Sequence, residues 1–188
     1  MHKFLDHWFS YSFILIWLVV CILCQKMDLV SRYANKGTAI IGKEYYRFAT
    51  ALILHNQFLH AIFNAATLYF VGQHLEPQIQ PGKLLIFSVL IGVITETVFS
   101  AIFRESVSMG GSPIVFSQIG LIAALQILRA DAFKFQLGTW YGSWILGYTV
   151  LANIPFFSDN FISSLIIHGM PLTLGIVLGC LGVGLRIL

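Results

Sequence analysis

Residues 110–129 read GGSPIVFSQIGLIAALQILR, and no charge interrupts the run from Ser112 until Arg129 closes it. A charge-free apolar run of this kind approaches the about 20 residues that a helix needs to cross a hydrocarbon core. Its opening matters as much as its length, because Ser112 follows Gly110 and Gly111 and precedes Pro113. Serine followed by proline is the usual pairing of a helix N-cap with a first helical position. A serine in the same place is also a weak nucleophile that needs a base to accept its proton, with the partial positive charge of a helix N-terminus favouring the anion. As a cap, Ser112 turns its oxygen to the N–H of residue 114 or 115. As a nucleophile, it turns that oxygen toward a base elsewhere in the chain.

The rest of the chain shares the solvent of that run. Of 188 residues, 57% are hydrophobic and 10% charged, with 16 phenylalanines, where an ordinary soluble domain has about 25% charged residues. Mean hydropathy is +0.82. These values describe an integral membrane protein. Six charge-poor stretches are expected to span the bilayer as helices: Trp8 to Cys24, Gln57 to Leu75, Leu84 to Phe103, Pro113 to Leu128, Leu137 to Phe157 and Ser163 to Leu185. The fold expected is therefore an all-α membrane protein, a single six-transmembrane-helix domain over residues 1–188. The first stretch lacks a small-residue cleavage site and reads as a retained helix.

Charge says less about orientation. With the N-terminus inside, Lys3, Lys83, Arg129, Lys134 and Arg186 are cytoplasmic, while Lys26, Arg32, Lys36, Lys43, Arg47 and Arg104 are outside, so the positive-inside rule leaves the topology open. A net charge of +3 is too small to argue for nucleic acid, and the lipid bilayer is the expected surroundings. The segment from Lys26 to His55 mixes charges with Thr38-Ala39-Ile40-Ile41 and Tyr45-Tyr46-Arg47-Phe48. A linker would be more polar, and aromatic side chains with arginine suit the headgroup zone, so this segment is expected to pack sideways at the membrane interface. Cys21, Cys24 and Cys180 read as small buried residues, since no second ligand pair accompanies the CxxC.

Polar groups inside apolar spans carry the functional signal, because hydrocarbon penalises them. His60 and Asn64 lie four residues apart and share a helix face. Two donors aimed at one point can stabilise an oxyanion, or the same pair can bond across helices as structural glue. His168 precedes Gly175 and Gly179, a small-xxx-small surface that lets another helix come close. That histidine is either a satisfied structural group or the base that Ser112 requires. Glu96, between Thr95 and Thr97, is a proton-relay candidate or a hydrogen-bonded structural acid.

Taken together, these residues resemble the rhomboid family of intramembrane serine proteases, from about Tyr45 to Gly179. Tyr46-Arg47 is similar to the Trp-Arg of the family's first loop. His55, His60 and Asn64 match its HxxxxHxxxN signature, and Glu76 its acidic position closing the second helix. Gly110-Gly111-Ser112-Pro113 aligns with GxSG, and His168 with Gly175 and Gly179 aligns with the final-helix HxxGxxxG.

The resemblance implies a six-helix rhomboid-like bundle with a long, partly membrane-embedded first loop, and peptide hydrolysis by a Ser112 nucleophile with His168 as its base. It implies an oxyanion hole of His60, Asn64 and the Ser112 N–H, with structural support from Arg47, His55, Glu76, Phe116, Gly175 and Gly179. Transmembrane proteins are the implied substrates, without metal or cofactor, in a bacterial plasma membrane with both termini cytoplasmic and the serine near the outer face. One chain suffices for that mechanism. Three positions depart from the pattern: Pro113 replaces glycine, Pro171 replaces the first glycine after the histidine, and Phe116 replaces a tyrosine that stacks on it. Two other readings are kept. One is a protease-inactive relative that binds transmembrane helices as a chaperone or adaptor; the other is a small transporter or channel, supported by Glu96.

Overall fold

The computed structural model describes residues 7–129, 132, 134–154 and 161–188. Among the described residues eight helices follow in order: α1 (Trp8–Cys24), α2 (Leu29–Tyr33), α3 (Arg47–Thr50), α4 (Phe58–Leu75), α5 (Pro81–Ile102), α6 (Ser112–Leu128), α7 (Trp140–Leu151) and α8 (Phe161–Gly184). Among the described residues there is no strand, only one antiparallel bridge between Asn35 and Ser108. The regular structure of the described residues is all-helical.

Six of the helices fall on the six expected apolar stretches, with local chemistry setting their ends. Pro81 opens α5 and Pro113 sits in the first turn of α6, where the missing N–H is one the helix leaves unpaired anyway. Thr139 caps α7 by accepting from the Gly142 N–H at 3.2 Å. That helix is only 12 residues long, and Phe157, the expected end of its span, lies outside the described residues. By length and apolar composition, α5 and α8 are sufficient to cross a membrane; α1 and α6 are apolar but shorter. Pro171 neither starts nor ends α8, which begins at Phe161 and runs through it.

The core centres on α6. Residues 112 to 118 of this helix are all buried, as expected of a helix apolar around its whole circumference. It packs against α8, α5 and α4, while α1 lies against α4 and α5. The contact with α8 is between backbones: a Cβ on Gly120 would come within 2.2 Å of the Leu172 carbonyl oxygen, and one on Gly175 within 2.2 Å of the Ser117 carbonyl oxygen. Gly179 instead faces side chains, those of Ala124 and Leu121, which a Cβ there would approach to 2.9 Å. Partners rise together along both helices, so α6 and α8 run parallel and tightly apposed. Large apolar side chains such as Leu15, Ile86, Leu90, Ile127 and Leu181 stand exposed on the perimeter, the surface a hydrocarbon solvent selects.

The segment between α1 and α4 is folded rather than a plain linker. It carries α2 and α3 and buries Ala34, Ile41, Leu52 and Leu54. Asn35 joins it to the segment leading into α6, exchanging backbone hydrogen bonds with Ser108 at 3.1 and 2.9 Å.

Candidate active site

Ser112 is the first residue of α6, and Gly111 takes the N-cap position with no side-chain cap. The Gly111 carbonyl accepts from the Ile114 and Val115 N–H groups at 3.0 and 3.2 Å. The cap reading of Ser112 is thereby corrected, because backbone alone closes the first turn and the serine hydroxyl is spare. That hydroxyl lies 3.2 Å from Nε2 of His168 on α8. The Phe116 ring, one turn along α6, stacks on the His168 ring with centroids 4.6 Å apart and planes 20° apart. The missing tyrosine hydroxyl leaves the stack itself intact.

The turn that presents Ser112 is held from three sides. Gly110 has φ +134°, a conformation that side chains rarely adopt, and a Cβ there would also lie 2.7 Å from the His60 ring. The Gly110 N–H donates to the Ala51 carbonyl at 2.9 Å, and the Gly111 N–H donates to Nε2 of His55 at 3.1 Å. Trp17 of α1 closes the third side. A Cβ on Gly111 would sit 2.0 Å from its indole ring, whose N–H donates to the Leu52 carbonyl at 3.0 Å. Burial first, and the neighbouring His60 second, hold the His55 pKa down to about 3, so the ring stays neutral and accepts.

His60, Ser112 and His168 line one recess of about 230 Å³, together with Gln57, Ser108 and Ser163. A second, apolar cavity of about 620 Å³ opens beside it, lined by His60, His168, Phe63, Trp144, Tyr148 and Leu151. Asn64, a turn beyond His60, is fully buried. Its Nδ2 is 3.0 Å from Nε2 of His55, and its Oδ1 accepts from the Tyr148 hydroxyl at 2.5 Å. A hydroxyl bonded to an imidazole, at a helix N-terminus and beside a polar recess, has the parts that acyl transfer requires.

The other expected residues are found at the joints of the fold. Arg47 is buried and pairs with Glu44 at 2.7 Å, and it donates to the carbonyls of Ser31 and Ala34 at 3.1 and 3.0 Å. Its guanidinium lies over the Tyr46 ring, so the tyrosine in place of tryptophan keeps an aromatic partner. Glu76 accepts from the Ser10 backbone N–H at 3.1 Å and from the Ser10 hydroxyl, tying α4 to α1. Gly175 and Gly179 form the α6–α8 seam. Glu96 is buried and accepts from Asn35 Nδ2 at 2.7 Å and the Ser108 hydroxyl at 2.5 Å. A pinned carboxylate of this kind fits the structural alternative rather than a relay.

Sequence reasoning passed over Trp17, Asn35, Ser108 and Tyr148. A polar residue in an apolar span is the signal that could have flagged Tyr148. Asn35 and Ser108 carry none, since both belong to irregular segments.

A family model described as Rhomboid domain matches residues 42–183. The chain is also similar to the Rhomboid protease GluP of Bacillus subtilis (strain 168), with 26% identity over 138 residues that make up 70% of this chain and 27% of that protein. It thus spans about a quarter of the length of this curated relative.

Proposed function

The chain belongs to the rhomboid family, and from that premise we propose that it is an intramembrane serine endopeptidase acting through a Ser112–His168 dyad. One observation carries the reading: the Ser112 hydroxyl sits 3.2 Å from His168 Nε2, although 56 residues separate the two. Both line the same polar recess. The relative's description as a protease supports the same class of reaction.

In this mechanism His168 Nε2 takes the Ser112 proton as Oγ attacks the scissile carbonyl carbon. The resulting oxyanion is held by the Ser112 N–H, His60 and Asn64, each donor contributing roughly 3 kcal/mol to the transition state. His168 then protonates the leaving amine. A water molecule, deprotonated by the same histidine, attacks the acyl ester, and its hydrolysis returns the proton to Ser112.

Transmembrane proteins are the proposed substrates. A helix in lipid satisfies its own backbone hydrogen bonds, so one end must unwind to reach the serine. The polar recess accommodates that unwound end, and the apolar cavity takes an adjoining side chain. The six longer helices are proposed to form one membrane domain with both termini in the cytoplasm. The first loop would then lie half-embedded on the outer side.

Reconstitution in liposomes with a fluorogenic transmembrane substrate tests the reading. Cleavage by the unaltered protein, absent in Ser112→Ala and in His168→Ala, is expected. Substrate that binds and is never cut would instead assign the chain to the adaptor class.

A further inference from the structure

We propose that Tyr148 is a positioning residue for catalysis, whose hydroxyl orients the Asn64 amide so that a free N–H faces the developing oxyanion. The inference rests on the protease reading above and starts from the ambiguity of an amide. The oxygen and nitrogen of asparagine are nearly the same size, so their partners decide which way the group points.

His55 settles one end. Its Nε2 accepts from the Gly111 N–H at 3.1 Å, so the ring proton is on Nδ1 and Nε2 offers only a lone pair. The Asn64 group 3.0 Å from that nitrogen must therefore be the NH2, because a carbonyl oxygen there would set two lone pairs against each other. Tyr148 settles the other end by donating its O–H to Asn64 Oδ1 at 2.5 Å. With one amide N–H given to His55, the second is the one left for the reaction.

Tyr148 is also placed to serve both halves of the site. Its ring packs against Phe116 at 5.4 Å, and Phe116 stacks in turn on His168 at 4.6 Å. The side chain is buried at 8% exposure, and a buried phenol without a partner is costly. Removing the hydroxyl keeps the aromatic stack and frees the Asn64 carbonyl end, which isolates the orienting effect from packing.

Steady-state kinetics on Tyr148→Phe, Asn64→Ala and the double variant, in the reconstituted full chain, test this. Loss of a whole oxyanion donor lowers kcat by about 10²-fold or more. Tyr148→Phe leaves the donor present but loose, and is expected to lower kcat about ten-fold with KM nearly unchanged. In the double variant the tyrosine change should add nothing to Asn64→Ala. p-Aminophenylalanine in place of Tyr148, which restores an N–H donor, should recover kcat, and this holds as a test even where Tyr148→Phe folds poorly. An unchanged kcat in Tyr148→Phe alongside a strong Asn64→Ala effect, full additivity, or failed rescue would overturn the proposal alone. An Asn64→Ala variant with full activity would overturn the oxyanion role of Asn64 and this proposal with it.

Discussion

Gly175→Ala should disable the site without touching either member of the dyad. The new methyl would sit 2.2 Å from the Ser117 carbonyl oxygen, where non-bonded contact requires about 3.5 Å. Neither atom belongs to a flexible side chain, so the two helix backbones must part by about 1 Å. Ser112 and His168 are carried on those same two helices, 3.2 Å apart. Moved apart by that amount, they leave hydrogen-bond range. A misplacement of about 1 Å costs on the order of 10²-fold in rate, or about 2.7 kcal/mol in the barrier. Two neighbouring substitutions calibrate the result. In Gly179→Ala the methyl meets the side chains of Ala124 and Leu121 at 2.9 Å, and the Leu121 side chain can rotate, so the loss should be smaller. Gly169→Ala adjoins the histidine, but its Cβ would find only Leu165 at 3.7 Å, an ordinary contact, so activity should persist. Cleavage rates in liposomes, with thermal unfolding in detergent to check the fold, give the comparison. A folded Gly175→Ala variant with unaltered kcat would refute the argument that helix apposition sets the dyad.

Other expectations follow from the joints around the site. Glu96→Leu takes the acceptor from the Ser108 hydroxyl, at about 1–3 kcal/mol, and one acceptor from the Asn35 amide, which keeps the Glu96 backbone carbonyl at 3.2 Å, whereas Glu96→Gln keeps a side-chain acceptor and should unfold at a higher temperature than Glu96→Leu; equal midpoints would remove the structural role. Gly111→Ala forces its methyl onto the Trp17 ring, 2.0 Å away, and overpacking of this kind costs about 1–3 kcal/mol. Combining it with Trp17→Leu should cost less than the sum of the two single changes, which thermal unfolding midpoints would show.

The helical stretches were legible because apolar surroundings leave a plain record in sequence: long charge-poor runs, bounded by residues such as Arg129 and Lys83. Helix α6 starts at Ser112, one residue before the expected Pro113, since proline suits either of the first two helical positions and Gly111 caps through its backbone alone. Motif order was enough to nominate Ser112, His60, Asn64 and His168. The partners that fix their orientation were not legible. Tyr148 is 84 residues from Asn64, and Asn35 is 61 residues from Glu96. No periodicity connects such pairs, and only the packing of α7 on α4, or of the first loop on α5, brings them together. Gly111 shows the same limit, because its need for a hydrogen side chain comes from Trp17, an indole on another helix.

Covalent trapping of Ser112 tests the central claim most directly. A fluorophosphonate probe applied to the reconstituted protein, followed by peptide mass spectrometry, should give a single adduct on Ser112. That adduct should be absent in Ser112→Ala and form far more slowly in His168→Ala. A folded protein that takes up no probe, or one labelled equally after Ser112→Ala, would contradict the account.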